Sequence, residues 1–176
     1  MNKKIKKILS KKNKSKIVSL TAYSKNIAKI LDNHVDIILV GDSMANVLYA
    51  HKNTHKISLK NIIQHSISVR QGVKRSLFVV DMPKGTYKNL KLAKKNARLV
   101  IKKTNCDAIK LESNGKNFQI ITQLVKKKIP VMGHIGFTPQ FKKKFKIEGQ
   151  TKNEALKLLK EAKQIEKAGA FSIVLE

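Results

Sequence analysis

Acidic side chains stand at the ends of four short apolar runs that are typical of buried β-strands. The chain has only 11 acidic residues among 176, so four in this kind of position is a large share. Parallel α/β folds place their active sites at the carboxyl ends of the strands. We therefore expect four carboxylates to converge on one pocket, those of Asp42, Asp81, Glu112 and Glu176.

Three of these carboxylates, Asp42, Asp81 and Glu112, follow three successive predicted strands. Hard oxygen ligands from separate elements, with positions left for water and substrate, suit Mg²⁺ better than zinc. Each acid taken alone could equally be a helix cap or a solvated strand end. Three of them at equivalent strand ends favour a metal site.

Three neighbouring side chains could contact an anionic ligand. Lys110 lies two residues before Glu112, so the strand period of two directs both side chains to one face. A buried lysine there needs an anionic partner, either a substrate carboxylate or the metal-site acids. Ser43 could donate a hydrogen bond to an oxyanion or cap a helix. His134 lies at a strand end, where a ligand contact is expected, and its flanking glycines would let another backbone or a ligand come close.

The elements that must position these residues alternate between strand and helix. Apolar residues at helical spacing separate six strand-like runs, which implies a parallel sheet, open or closed into a barrel. We expect one domain over residues 1–176, because no linker or repeat interrupts the pattern. The predicted strands are 17–23, 37–43, 77–80, 108–113, a run from 130, and 171–176.

Helix boundaries can be predicted from capping residues. Ser24 and Ser58 are candidate N-caps, and Thr151 with Glu154 three residues later forms a capping box. The first of these helices carries Ile27, Ile30 and Leu31 at helical spacing, and we expect it to pack through them. Residues 44–57 show no periodicity and are predicted to be a loop.

Composition excludes several classes of protein. The net charge of +27 comes from lysines scattered through every segment, whereas a nucleic-acid-binding protein gathers them with aromatic residues, so no nucleic-acid partner is expected. The single Cys106 excludes an internal disulfide and a Cys-based zinc cluster, and a buried thiol is expected. The basic start, with too short an apolar core for a signal peptide, favours a capping helix. No apolar run is long enough to span a membrane, and a cytoplasmic protein is the simplest interpretation.

The motifs, in their order along the chain, resemble the ketopantoate hydroxymethyltransferase family. The block HIGFTPQ is the most specific of them. The resemblance implies a Mg²⁺-dependent (βα)8 TIM-barrel fold and homo-oligomeric assembly into decamers. The matching segments are VGDS at 40–43, VVDMP at 79–83, KLE at 110–112, PVMGHIGFTPQ at 130–140 and AGAFSIVLE at 168–176.

The resemblance also implies a reaction in pantothenate biosynthesis. A hydroxymethyl group would pass from 5,10-methylenetetrahydrofolate to the small 2-oxo acid 3-methyl-2-oxobutanoate, through an enolate stabilised by Mg²⁺. Metal-site acids of the family match Asp42, Asp81 and Glu112. Groups that hold the 2-oxo acid match Ser43 and Lys110, with Asp42, Asp81 and His134 also expected near the substrate. The proposed catalytic base matches Glu176.

The chain ends at Glu176, after about six of the eight βα units that the family implies. Six strands cannot close an eight-stranded barrel, so we expect two unpaired sheet edges. Three hypotheses stay open: the transferase or its N-terminal part, a non-catalytic remnant of the family, and a basic nucleic-acid-binding protein on the same fold. Acids at the strand ends would repel phosphate and favour the first two.

Overall fold

Six parallel strands form one sheet whose spatial order follows the chain. The structure is a computed structural model that describes residues 2–142 and 144–176. Each strand pairs with the next one along the sequence, which is the order of a βα-barrel, here an open half-barrel. The strands are β1 (Ser19–Thr21), β2 (Ile37–Val40), β3 (Leu77–Asp81), β4 (Ala108–Glu112), β5 (Val131–Ile135) and β6 (Ser172–Leu175).

Helices connect every pair of neighbouring strands, as the alternating pattern predicted. In the two described ranges each helix is too short or too polar to cross a membrane. The helices are α1 (Lys3–Ser10), α2 (Lys25–Leu31), α3 (Met44–Val47), α4 (Leu59–Arg70), α5 (Leu90–Thr104), α6 (Phe118–Lys126) and α7 (Lys152–Lys167).

The capping predictions are confirmed at two helices. Ser58 and Asn61 form a capping box at the start of α4, and Thr151 forms one with Glu154 at the start of α7. Each box satisfies backbone N–H groups that the first helical turn leaves unpaired. Ser24 precedes α2, but its side chain makes no capping hydrogen bond to the described residues of that helix.

Two sequence predictions about local structure are wrong. Residues 44–57 are not a plain loop, because they contain α3 and a short 3-10 helix, Thr54–Lys56. The four residues of α3 are too few to show a helical period, so the sequence of this segment did not indicate a helix. The predicted apolar face of α2 is also wrong at two of its three residues: Ile27 and Ile30 are 50% and 63% exposed, whereas Leu31 packs against the core and Ala28 is buried.

Two apolar clusters fill the two sides of the sheet. The larger one lies between the strands and the surrounding helices. In the smaller one, Ile5 and Ile8 of α1 pack against inward-facing strand residues such as Leu77 and Met132. The basic start of the chain is therefore a helix that covers one side of the sheet, as predicted. Cys106 is buried, and burial raises the pKa of its thiol to about 11.

Asp32 ties the turn before β3 to the end of α2. Its carboxylate accepts hydrogen bonds from the backbone N–H groups of Lys74, Arg75 and Ser76, at 2.9–3.0 Å. Burial opposes the charge of this carboxylate, but the three N–H groups outweigh it, so the pKa of Asp32 is lowered. The turn immediately precedes β3, and β3 ends at Asp81, so Asp32 helps to fix the strand that carries Asp81.

We predict that Asp32→Asn lowers the free energy of unfolding by about 1–3 kcal/mol at neutral pH, because an amide N–H would face backbone donors. Because the pKa of Asp32 is lower in the folded than in the unfolded protein, its ionised carboxylate stabilises the fold at every pH above the unfolded-state pKa. This stabilisation is lost as the pH falls through the folded-state pKa. The loss should therefore be constant down to about pH 5 and shrink below about pH 4. Urea unfolding across this range measures it. Asn33→Ala, at the exposed neighbour, is the matched control, and a loss independent of pH would contradict the prediction.

Candidate active site

Three buried carboxylates meet at the carboxyl ends of neighbouring strands. Asp81 and Glu112 are the last residues of β3 and β4, and Asp42 follows β2 by two residues. All three side chains are buried. The strands end here because apolar runs stop at these acids, so parallel pairing brings their ends together.

Lys110 provides the cationic partner within this group. Its Nζ lies 2.7 Å from Asp81 Oδ2, and pairing of β3 with β4 sets the two residues side by side. Burial disfavours the charged amine, but the carboxylates of Asp81 and Asp42 outweigh that cost and raise the pKa of Lys110. The predicted anionic partner of this lysine is therefore a neighbouring acid, Asp81.

Negative charge exceeds positive charge among these four residues. Burial, followed by the charge of Asp81, raises the pKa of Asp42 to about 7. Burial likewise raises the pKa of Glu112 to about 8, although the charge of Lys110 opposes the shift. One lysine cannot neutralise three carboxylates. The site therefore favours a bound proton or cation at neutral pH.

The three acids do not form a closed metal cluster. Within residues 2–142 and 144–176, no three His, Cys, Asp or Glu side chains are close enough together to hold one ion. The backbone N–H of Asp42 faces Asp81 Oδ2 at 3.4 Å, whereas Glu112 faces His134 and the backbone of Gln140. Two of the carboxylate oxygens of these acids, Asp81 Oδ1 and Glu112 Oε1, are nevertheless buried without a hydrogen-bond partner among the described residues. Such oxygens fit a hard cation.

His134 lies between two carboxylates. Its Nδ1 is 3.8 Å from Glu112 Oε1 and its Nε2 is 3.2 Å from Glu176 Oε2, without hydrogen-bond geometry to either. Burial, and then the charge of Lys110, lowers the pKa of His134 to about 3, so the ring is neutral. Glu176 is 49% exposed by its side chain, and burial of the remainder raises its pKa.

The glycines beside His134 admit neighbouring protein atoms. Gly136 has a φ of +88°, and a Cβ there would overlap the backbone carbonyl of Glu176. The N–H of Phe137 donates to that carbonyl at 2.8 Å, and the N–H of Glu176 donates to Ile135 at 3.1 Å. The close approach expected at this strand end is therefore made by the backbone of Glu176. These hydrogen bonds fix Glu176 at the acidic rim, by which we mean the carboxyl ends of the strands with Asp42, Asp81 and Glu112.

Ser43 is the residue that immediately precedes α3, yet its side chain does not cap the described residues of that helix. Its Oγ lies 2.8 Å from the hydroxyl of Tyr23, with either oxygen as donor. The capping alternative for Ser43 is therefore wrong. The hydroxyl lies one residue from Asp42, where it could still donate to an oxyanion.

Sequence reasoning assigned no role to two residues at the site. Gln140, which is fully buried, donates from Nε2 to Asp42 Oδ2 at 2.8 Å and from its backbone N–H to Glu112 Oε2 at 2.9 Å. Tyr87 donates its hydroxyl to Gln140 Oε1 at 2.6 Å. The one available signal was the place of Gln140 at the end of the HIGFTPQ block.

Comparison with known proteins identifies the relatives of the chain. Residues 2–176 match the family described as ketopantoate hydroxymethyltransferase. The chain is 57% identical over 176 residues to the 3-methyl-2-oxobutanoate hydroxymethyltransferase of Pelagibacter ubique, covering 100% of this chain and 68% of that protein. It is 44% identical over 163 residues to the protein of the same name from Campylobacter curvus, covering 91% and 61%.

Solved structures with a similar fold have little sequence in common with the chain. A phosphonopyruvate hydrolase in complex with oxalate and Mg⁺⁺ superposes with a TM-score of 0.72 at 13% identity, over 98% of this chain and 62% of that one. A 2,3-dimethylmalate lyase of the PEP mutase/isocitrate lyase superfamily superposes with a TM-score of 0.67 at 11% identity, over 100% and 62%. These similarities confirm the predicted barrel class.

We predict that Lys110→Met destabilises the metal-free chain by about 3–5 kcal/mol, because it leaves Asp81 buried without its cationic partner. The double variant with Asp81→Asn should lose less than the sum of the two single variants, since it removes both charges. Urea unfolding in the presence of a chelator measures this coupling. Strictly additive losses would contradict a buried ion pair.

Proposed function

The chain belongs to the ketopantoate hydroxymethyltransferase family, and we propose from this that it transfers a hydroxymethyl group from 5,10-methylenetetrahydrofolate to 3-methyl-2-oxobutanoate. The product would be 2-dehydropantoate, an intermediate of pantothenate biosynthesis. The single observation that carries the proposal is the buried group at the strand ends. Asp42, Asp81, Glu112 and Lys110 meet there, in the order of the family's motifs.

The residues present at this rim suit Mg²⁺. Asp42, Asp81 and Glu112 would hold it, directly or through water molecules that Mg²⁺ retains, since no three acidic side chains of the described residues are close enough to hold one ion unaided. The burial of these carboxylates, and the unpartnered oxygens of Asp81 and Glu112, favour a cation there. When bound, Mg²⁺ supplies a Lewis acid that polarises the carbonyl of a 2-oxo acid and makes its C3 proton more acidic. The charge of the ion would also offset the excess of carboxylates.

Lys110 and Ser43 would orient the 2-oxo acid. Lys110 Nζ is held beside Asp81, where its charge can attract the substrate carboxylate and offset negative charge that develops on the carbonyl oxygen. Ser43 Oγ, fixed by Tyr23, can donate a hydrogen bond to a substrate oxygen. The neutral His134 ring would line the floor between Glu112 and Glu176 and contact the substrate there.

Glu176 would act as the general base. It lies at the rim beside His134, half exposed, and its backbone is held by Ile135 and Phe137. Its raised pKa makes it a stronger base than an ordinary carboxylate. Glu176 would remove the C3 proton of 3-methyl-2-oxobutanoate to give the enolate. One water molecule would add to the methylene carbon of the folate and release it as formaldehyde, leaving tetrahydrofolate. The enolate carbon would attack the formaldehyde carbon, and the former carbonyl oxygen would take up a proton to become the hydroxyl group of the product.

The folate and the assembly are further parts of the proposal. Membership of the family supports 5,10-methylenetetrahydrofolate as the one-carbon donor and a homo-oligomer as the working form. Small anionic metabolites, the 2-oxo acid and the folate, would then be the partners of the site. The scattered lysines would raise the local concentration of such anions.

Exchange of the C3 proton of 3-methyl-2-oxobutanoate with D₂O tests the proposal without the folate. We predict Mg²⁺-dependent exchange, seen by NMR as loss of coupling between the C3 proton and the methyl groups. Glu176→Gln should slow it about 10²–10⁴-fold, because the base is removed. Asp81→Ala should abolish its dependence on Mg²⁺.

Glu166→Gln is the matched control, because Glu166 is an exposed carboxylate on α7. Its exchange rate should equal that of the unaltered chain. Folded chain without exchange would contradict the transferase proposal and favour a non-catalytic member of the family. Normal exchange by Glu176→Gln would instead contradict only the assignment of the base.

A further inference from the structure

Gln140 contacts three of the strand ends at the acidic rim. Its side-chain Nε2 donates to Asp42 Oδ2 at 2.8 Å and to the carbonyl of Met82 at 3.0 Å. Its Oε1 accepts from the hydroxyl of Tyr87 at 2.6 Å. Its backbone N–H donates to Glu112 Oε2 at 2.9 Å. One buried residue on the loop after β5 therefore binds the ends of β2, β3 and β4 together.

The partners of the Gln140 amide determine its orientation. The Met82 carbonyl can only accept, so the nitrogen of the amide must face it. The oxygen then faces Tyr87, whose hydroxyl stays protonated because burial and the nearby carboxylates raise its pKa. The second N–H of the amide is left for Asp42. Every polar atom of this side chain has a partner.

Gln140 and Lys110 act on the two neighbouring aspartates in the same way. Gln140 binds Oδ2 of Asp42, and Lys110 binds Oδ2 of Asp81. Each carboxylate is thus held by one oxygen, and Oδ1 of Asp81 stays without a hydrogen-bond partner among the described residues. Groups that hold the outer oxygens of metal ligands orient the ligands and tune their affinity.

We propose that Gln140 is a positioning residue that holds Asp42 and Glu112 in place for a divalent cation, with Tyr87 fixing the orientation of its amide. The inference rests on the proposed function, which assigns a cation to these carboxylates. It adds a side chain that touches neither substrate nor metal. It also explains why the loop after β5 carries a buried, fully hydrogen-bonded glutamine.

Mn²⁺ binding to the metal-free chain tests this role by a readout other than activity. Electron paramagnetic resonance of free Mn²⁺ gives the dissociation constant. We expect Gln140→Met to weaken binding about 10–100-fold, because methionine fills the space without an N–H for Asp42. The backbone N–H to Glu112 is kept in this variant, so the change isolates the side chain.

Tyr87→Phe removes only the hydroxyl that orients the Gln140 amide. This variant tests the role of Gln140 even if Gln140→Met does not fold. We expect a smaller loss of Mn²⁺ affinity in the same direction. A purely structural role would lower the unfolding temperature of both variants and leave their Mn²⁺ affinity unchanged below it. Gln119→Met, at an exposed glutamine on α6, is the matched control and should bind Mn²⁺ normally.

The outcomes separate the two proposals. Normal Mn²⁺ binding by the unaltered chain and equal binding by both variants would overturn the role of Gln140 and leave the metal site in place. No Mn²⁺ binding by the folded, unaltered chain would overturn the metal site, and the role of Gln140 with it. Weakened binding in both variants, with a normal Gln119→Met control, would support both proposals.

Discussion

The site depends on the burial of three carboxylates around one lysine. Pairing of β3 with β4 sets Asp81 beside Lys110, and their side chains meet at 2.7 Å. Removing either partner would leave an uncompensated buried charge, which costs several kcal/mol. The register of these central strands and the charge pattern of the rim are therefore linked. A shift of one residue would turn Lys110 to the opposite face of the sheet.

The loop after β5 closes this rim from one side. Gly136 reverses the chain at a φ of +88°, and the following residues carry Gln140 back over the ends of β2, β3 and β4. The same turn receives the backbone of Glu176. One short segment thus holds two of the acids proposed to bind the cation, Asp42 and Glu112, together with the proposed base, Glu176. The proposed metal ligands and the proposed base are therefore positioned by the same loop, through the side chain and backbone of Gln140 and the backbone of Phe137.

Strand ends could be predicted from the sequence because buried parallel strands are continuous apolar runs that stop at polar residues. The positions of Asp42, Asp81, Glu112 and Lys110 followed from that rule. The role of Gln140 could not follow, since its partner Asp42 lies 98 residues away and no periodicity marks a loop contact. The apolar face of α2 was predicted only in part for a related reason: Ile27, Ile30 and Leu31 have the spacing of a buried stripe, but tertiary packing covers Leu31 and Ala28 and leaves both isoleucines exposed.

Charge explains why this rim needs a cation if it is to take an anionic substrate. Three carboxylates and one lysine carry a formal charge of about −2 when ionised, which would repel a 2-oxo acid at close range. Protonation of Asp42 or Glu112 lowers that repulsion, and their raised pKa values make it accessible near neutral pH. A divalent cation cancels the same charge and also satisfies oxygens that have no hydrogen-bond donor, such as Asp81 Oδ1. Protons alone would leave the carbonyl of a 2-oxo acid unpolarised, whereas the proposed cation would account for both its binding and its polarisation.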